Sequence, residues 1–167
     1  MMGEDMMTIK RLLGVLTVGL ALMTLAACGQ KSTESIIKNE LKDSYTGYSN
    51  DRSYDGKIFK EGSDTLTFNK KANTITNSDD YEIYFSVVSD KDKTSEIKSV
   101  LKELDSELSN TDNFTIAISR KVKNPAVDNA TAFYQIALTD GGKSIKIYEL
   151  RRNPRDYGYY KFSGEVA

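Results

Sequence analysis

The sequence predicts an α+β fold in which an antiparallel β-meander sheet packs against one long amphipathic helix. Apolar side chains alternate over residues 81–88, as expected of a strand with one buried face. They then recur three and four residues apart over residues 93–109, as expected of a helix with one apolar stripe. Because strands and helices are segregated along the chain, an α+β arrangement is favoured over alternating α/β units.

The first part of the domain contains a short helix and a small meander. Residues 33–43 are predicted to be helical, with Ile36, Ile37 and Leu41 on one stripe and Ser32 or Thr33 as the N-cap. Residues 65–68 and 74–76 form a hairpin around a polar turn. Residues 57–59 are predicted to be a further short strand.

The long helix is the element with the clearest pattern. Its apolar stripe consists of Ile97, Val100, Leu101, Leu104 and Leu108. Asp92 or Thr94 can cap its start, and a polar stretch over residues 110–113 ends it. We expect the stripe to cover one face of the sheet as ordinary core packing.

Four strands follow the long helix. The alternation of apolar residues places these strands at residues 114–122, 131–139, 143–151 and 157–165. Asp140-Gly141-Gly142 is a strong hairpin turn between the second and third of them. The sequence therefore predicts a four-stranded antiparallel meander at the C-terminus.

The N-terminal stretch has the organisation of an export signal. Lys10-Arg11 precedes an apolar run over residues 12–27, which also gives a predicted signal helix. The run is shorter than the roughly 18–20 apolar residues that span a bilayer comfortably. We predict a signal peptide over residues 1–27, a tether over 28–33 and one extracytoplasmic α+β domain over 34–167, with translation starting at Met1, Met6 or Met7.

The end of this run, Leu25-Ala26-Ala27-Cys28, resembles the lipobox of bacterial lipoproteins. The resemblance implies that Cys28 receives a diacylglycerol and becomes the new N-terminus after cleavage. It therefore implies a lipid-anchored protein on the extracytoplasmic face of the cell membrane. Two acyl chains suffice for stable anchoring, whereas one does not. An uncleaved anchor helix and ordinary secretion with a free thiol are the two alternatives.

Composition narrows the chemistry and the compartment. The chain has 23 Lys and Arg, 24 Asp and Glu, no His and one Cys, so it lacks the basic character of a nucleic-acid binder. Without His it lacks the usual general base and the common zinc ligands. The Lys- and Asn-rich, Trp-free composition is typical of a low-GC Gram-positive source.

Carboxylate chemistry, Ser-Lys chemistry and calcium binding stay open after these exclusions. The candidate carboxylates are Glu82, Asp90, Asp140 and Glu149, but their spacing does not show that any two meet. Residues 51–56 resemble the start of a calcium loop, and the pattern fails at Gly62, where a bidentate Glu is required. We predict no catalytic residue, no metal site and no cofactor.

An aromatic and basic edge near the C-terminus is the candidate binding surface. Aromatic and Arg side chains are favoured at interface hot spots. The residues of this edge are Arg151, Arg152, Arg155, Tyr157, Tyr159 and Tyr160. The alternative is a terminal strand with half-buried tyrosines and solvated arginines.

Together these patterns favour a non-catalytic binding module at the cell envelope. An envelope protein or a wall glycan is the expected partner, in addition to the membrane itself. A small hydrolase using carboxylates or Ser-Lys is the first alternative. An inhibitor or immunity-type lipoprotein acting through the loop at residues 123–130 is the second.

Overall fold

Eight antiparallel strands close into a barrel in the computed structural model, which describes residues 31–151 and 159–167. Each strand pairs with the next one in the chain, and the last pairs with the first. The strands are β1 (Ser44–Ser49), β2 (Gly62–Asn69), β3 (Thr74–Thr76), β4 (Glu82–Val88), β5 (Asp112–Ser119), β6 (Ala132–Thr139), β7 (Ser144–Glu149) and β8 (Lys161–Val166).

The helices of the barrel domain are short. The first, α1 (Thr33–Asn39), precedes β1. Two more, α2 (Ser95–Glu103) and α3 (Asp105–Leu108), lie between β4 and β5. A single 3₁₀ turn at Asp140–Gly142 joins β6 to β7. Among the described residues, no helix combines the length and the apolar character needed to cross a bilayer.

The predicted α+β fold with a sheet packed on one long helix is wrong. Because β8 pairs with β1, the sheet closes into a barrel, and the main core lies inside the barrel rather than between a sheet and a helix. The predicted helix over residues 93–109 is interrupted at Leu104, whose backbone angles (φ −91°, ψ 0°) leave the helical range. Of the two predicted caps, Thr94 is confirmed, since its hydroxyl accepts a hydrogen bond from the Ile97 N–H at 3.2 Å. The helix therefore begins at Ser95 and not at residue 93.

The predicted strands are mostly present. The hairpin, the strand over residues 81–88 and the four C-terminal strands correspond to β2 to β8, with different ends. β1 was not predicted, because Thr46 and Gly47 separate its two tyrosines and no apolar alternation is visible. Residues 57–59 were predicted to be a strand, but they lie in turns. Their amides at Ile58 and Phe59 donate to the Asp55 carbonyl instead of pairing with a strand.

The barrel interior is filled by side chains, as expected for an eight-stranded barrel of this size. Inward-facing residues of all eight strands, together with residues from α1 and from the β1–β2 connection, form one continuous core. Phe59 lies between two inward tyrosines, with ring centroids 4.5 Å from Tyr134 and 5.2 Å from Tyr160. This aromatic cluster lies near the end of the barrel that the β1–β2 connection closes.

Each end of the barrel is closed by a different segment. At one end, which we call the α1 end, Ile36 and Leu41 are buried in the core. The Tyr45 hydroxyl there donates to the Gly142 carbonyl at 2.8 Å and accepts from the Lys42 N–H at 2.9 Å. The opposite end is closed by residues 50–61, the connection between β1 and β2, which we call the plug.

A second, smaller apolar cluster lies outside the barrel. Ile97 and Val100 of α2 pack against Leu150, next to Phe133 of β6. Leu150 and Phe133 alternate with inward-facing neighbours along the chain, so their side chains point outward. The predicted apolar stripe therefore does pack on the sheet, but it covers only a part of the outer surface.

Candidate interaction surface at the plug end

The plug is a compact turn with two buried apolar side chains. Ile58 and Phe59 are inaccessible to solvent. The Ser53 N–H donates to the Phe59 carbonyl at 2.9 Å, which closes the turn on itself. Three buried carboxylates lie around this turn, Asp55 in the plug itself and Asp64 and Glu149 in strands of the barrel.

Asp55 joins the plug to the end of β5. Its carboxylate accepts from both the Nε and the Nη2 of Arg120, and the Nε bond is 2.7 Å long. The Asp55 side chain is 2% exposed, whereas that of Arg120 is 46% exposed. A bidentate pair of this kind is among the stronger side-chain interactions. The same hydrogen bonding raises the pKa of Arg120.

Glu149 joins the plug to the end of β7 from inside the barrel. One carboxylate oxygen accepts from the Tyr54 N–H at 2.8 Å, and the other accepts from the Tyr160 N–H at 3.2 Å. A guanidinium nitrogen of Arg151 lies 3.9 Å from the first oxygen. This carboxylate was a candidate acid or base, and its hydrogen bonds show that it orients backbone at the plug end.

Asp64 holds the β3–β4 turn. Its Oδ1 accepts from the Ser78 N–H at 3.1 Å, the Ser78 hydroxyl at 2.7 Å and the Thr65 N–H at 2.8 Å. The Asn77 amide of the same turn donates to the Lys57 carbonyl of the plug at 2.8 Å. The carboxylates therefore fasten neighbouring loops to one another.

The other candidate carboxylates are not brought together. Glu82 is exposed at the start of β4, and Asp140 is exposed in the β6–β7 turn at the α1 end. Asp90 is exposed and pairs with Lys93 at 2.6 Å, which lowers the pKa of Asp90. Within residues 31–151 and 159–167, no three His, Cys, Asp or Glu side chains are grouped so that they could hold a metal ion.

The structure separates the residues of the predicted binding edge. Arg152, Arg155 and Tyr157, like Cys28, lie outside the described residues. Tyr160 is 1% exposed and faces the barrel core, where burial raises its pKa well above the usual value. Tyr159 is exposed, and Arg151 is partly exposed. Among the described residues of the predicted edge, Arg151 and Tyr159 are therefore the ones that lie on the surface.

Further exposed tyrosines surround the plug end. Tyr48 lies near the end of β1, Tyr54 lies in the plug, and Tyr81 directly precedes β4. With Tyr159, which precedes β8, they form what we call the tyrosine rim. In the sequence, Tyr48 and Tyr54 lie among turn-forming residues, and they were not predicted to belong to a surface. For these two residues, the available signal was the concentration of tyrosines in a segment without apolar alternation.

Two rim tyrosines have a cation at their ring. The Arg151 guanidinium carbon lies 5.8 Å from the Tyr54 ring centroid, and Lys57 Nζ lies 5.7 Å from that of Tyr81. Both distances are within the range of cation–π attraction. Tyr54 is restrained by the contact of its ring with Arg151 and by the hydrogen bond from its N–H to Glu149. It is nevertheless 56% exposed.

Two clefts meet at Tyr54. The first, of about 300 Å³, lies towards α2 and is lined by Thr94, Glu96 and Arg151 among others. The second, of about 520 Å³, lies towards the β5–β6 loop and is lined by Ser119, Arg120, Lys121 and Asn129 among others. Tyr54 and Thr131 line both clefts, so we treat them as one feature, the rim groove.

The fold and this surface define a small closed-barrel domain with a tyrosine-rich end. Comparison of the chain with protein-family models, with curated proteins and with solved structures found no match.

Proposed function

We propose that the chain is a membrane-anchored extracytoplasmic lipoprotein whose barrel is a non-catalytic binding module of the cell envelope. The lipobox residues 25–28 support the anchor, with Cys28 as the acylated residue. Only residues 29–32 separate Cys28 from the first residue of α1, so the domain follows the proposed lipid anchor directly. The partner is an envelope protein or a wall glycan.

The tyrosine rim is the observation that carries the binding function. Tyrosine combines a large apolar ring with a polar hydroxyl, which suits an interface that is solvated when empty. Tyrosine and arginine are also the residue types enriched at interface hot spots. In this barrel they occur together at one end, with Arg151 against Tyr54.

The filled interior supports binding at the surface. An eight-stranded barrel can enclose one small ligand, but here the corresponding space is occupied by core side chains including Phe59, Tyr134 and Tyr160. The buried carboxylates accept hydrogen bonds from backbone and from Arg120, which favours the binding module over the alternative of a carboxylate hydrolase.

The inhibitor alternative depends on a protruding loop at residues 123–130. In the structure the Ser86 hydroxyl donates to the Pro125 carbonyl, and the Asn73 amide donates to Asn124 Oδ1 at 3.1 Å. These bonds hold the loop against β4 and the β2–β3 turn. No observation on this loop favours the inhibitor over the binding module.

The anchor is tested by metabolic labelling with a radioactive fatty acid. The natural chain is expected to take up label and to sediment with membranes. Cys28→Ala is expected to lose the label and to accumulate as unprocessed precursor. Labelling that persists in Cys28→Ala would show that the lipobox interpretation is wrong.

The binding surface is tested by photo-crosslinking in intact cells. A benzophenone amino acid replaces Tyr54 or Tyr159 at the plug end, or Val166 as a matched exposed control at the α1 end. Adducts are expected from the two rim positions and not from position 166. Equal adducts from all three positions, or none from the rim, would contradict the proposed surface.

A further inference from the structure

We propose that the rim groove binds a saccharide chain, with one sugar ring stacked on Tyr54. This inference rests on the proposed function, because it selects the wall glycan from the two partner classes. It concerns the groove defined by the two clefts on either side of Tyr54.

The position of Tyr54 is the first argument. Its N–H is held by Glu149 at 2.8 Å, and the next residue, Asp55, is held by Arg120. Arg151 lies 5.8 Å from its ring centroid. An aromatic ring that is held in place before binding loses little conformational freedom when a ligand stacks on it. One face of a sugar ring carries C–H groups, and such a face packs on an aromatic ring.

The lining of the groove is the second argument. The hydroxyls of Thr94 and Thr131 and the amide of Asn129 provide short polar groups on both sides of the ring, beside apolar lining from Ala132 and Phe133. Neutral donors and acceptors of this kind match sugar hydroxyl and acetamido groups. A protein hot spot is instead centred on a well-packed pocket that is fully desolvated. The groove therefore fits a saccharide better than an apolar protein anchor.

The charges of the groove are the third argument. Arg120 is paired with Asp55, and Arg151 lies 3.9 Å from Glu149. Lys121 and Glu96, at opposite parts of the groove, are of opposite sign. The groove therefore lacks the concentrated positive charge that a polyanion requires. Its extension to both sides of Tyr54 suits a chain of several sugar units.

The test is a titration of the full chain in a detergent without a sugar headgroup. Two probes are used, the tetrasaccharide of N-acetylglucosamine and glycan strands released from bacterial sacculi. Calorimetry measures affinity, and NMR of ¹³C-labelled tyrosine rings locates the site. The Tyr54 signal is assigned by its loss in Tyr54→Phe. We expect both probes to bind and to shift the Tyr54 ring signal.

Two tyrosine variants separate stacking from unspecific effects. Tyr54→Ala is expected to weaken binding at least about tenfold, as for removal of a hot-spot aromatic side chain. Tyr54→Phe keeps the ring and is expected to retain most of the affinity. The matched control is Val166→Ala, because Val166 is also exposed (46%, against 56% for Tyr54), lies at the α1 end and does not line the groove.

Thr131→Arg gives a second test if Tyr54→Ala fails to fold. Thr131 is exposed and lines both clefts, so a long side chain there is expected to obstruct the groove and to weaken binding. Equal affinities in the natural chain, Tyr54→Ala and Thr131→Arg would overturn the inference. So would the absence of binding to both probes at millimolar concentration.

These outcomes are distinguishable from failure of the proposed function. Protein adducts from position 54, without saccharide binding, would overturn the saccharide and leave an envelope binding module. Loss of the lipobox interpretation in the labelling experiment would leave saccharide binding by the purified chain unaffected.

Discussion

Gly47 of β1 lies directly opposite Gly164 of β8 in the strand pair that closes the barrel. A Cβ on Gly47 would lie 2.2 Å from the Ser163 carbonyl oxygen and 2.6 Å from the Phe162 ring. A Cβ on Gly164 would lie 2.6 Å from the same ring. The two glycines thus leave the space that the Phe162 side chain occupies inside the barrel.

We expect Gly47→Ala to destabilise the barrel, because backbone atoms must move to admit the methyl group. The cost should be about 1–3 kcal/mol, as for overpacking elsewhere in protein cores. Urea denaturation followed by circular dichroism measures it. Gly56→Ala is the control, since its added Cβ meets first the flexible Arg52 side chain at 3.3 Å. Equal stability of the two variants would contradict the role assigned to the glycine pair.

Removing Arg120 should cost more than removing the charge of its partner. Arg120→Leu leaves the buried Asp55 carboxylate without its guanidinium partner. We expect the free energy of unfolding to fall by about 2–4 kcal/mol. This is less than for a fully buried ion pair, because Arg120 is about half exposed. Asp55→Asn leaves a cation that water can solvate, so the expected loss is smaller, about 1–2 kcal/mol.

The double variant Asp55→Asn/Arg120→Leu completes the cycle, and it should be more stable than the sum of the single losses implies. Lys93→Ala is the control, because its partner Asp90 is almost fully exposed. That control should change the free energy of unfolding by less than about 1 kcal/mol. Additive effects at Asp55 and Arg120 would mean that the pair does not hold the plug.

Stability should fall above about pH 10, the usual pKa of tyrosine. Burial raises the pKa of Tyr160, so the folded chain keeps this proton at pH values where the unfolded chain loses it. This contribution to the free energy of unfolding is complete at pH values below the tyrosine pKa of the unfolded chain. It falls by about 1.4 kcal/mol per pH unit as the pH rises from there towards the pKa of Tyr160 in the folded chain.

Tyr160→Phe should remove this part of the pH dependence. The Tyr160 hydroxyl is buried and has no hydrogen-bond partner among residues 31–151 and 159–167, so its removal should not destabilise the protein at pH 7. Denaturation series from pH 7 to pH 11 compare this variant with Tyr48→Phe, whose exposed ring should leave the slope unchanged. A slope that Tyr160→Phe does not reduce would contradict the prediction.

Loss of the α2 cap should loosen the helix on the outside of the barrel. Thr94→Ala removes the acceptor of the Ile97 N–H and should cost about 0.5–2 kcal/mol. Thr94→Ser keeps an equivalent oxygen and should behave like the natural chain. Hydrogen exchange of the α2 amides measures the effect, and unchanged protection in Thr94→Ala would show that the cap does not stabilise the helix.

The strands at 81–88 and 131–139 were predictable because each has one face in the barrel core, which imposes a period of two on the apolar residues. β1 escaped prediction because its inward positions include Gly47 and Ser49, so the alternation is not visible as hydrophobicity. The break at Leu104 lies within an uninterrupted apolar stripe, and no Gly or Pro marks it in the sequence.

The site was less predictable than the strands. Tyr159 and Tyr160 are adjacent, yet one is exposed and the other is buried beside Phe59. The period of two separates their faces, but only the closed barrel decides which face is the interior. Tyr54 and Arg151, almost a hundred positions apart in the sequence, come together because the plug folds over the end of the barrel.

The sequence by itself determined the order of most strands, the two candidate caps of α2 and the residues on which the proposed lipid anchor depends, because each of these is a local pattern. The tertiary structure alone decided that the sheet closes, that residues 50–61 plug it and that the tyrosine rim surrounds one end. Those features depend on contacts between distant residues, such as Gly47 with Gly164 and Asp55 with Arg120. Local propensity does not encode such pairings, since their free energy arises only when the barrel brings both partners together.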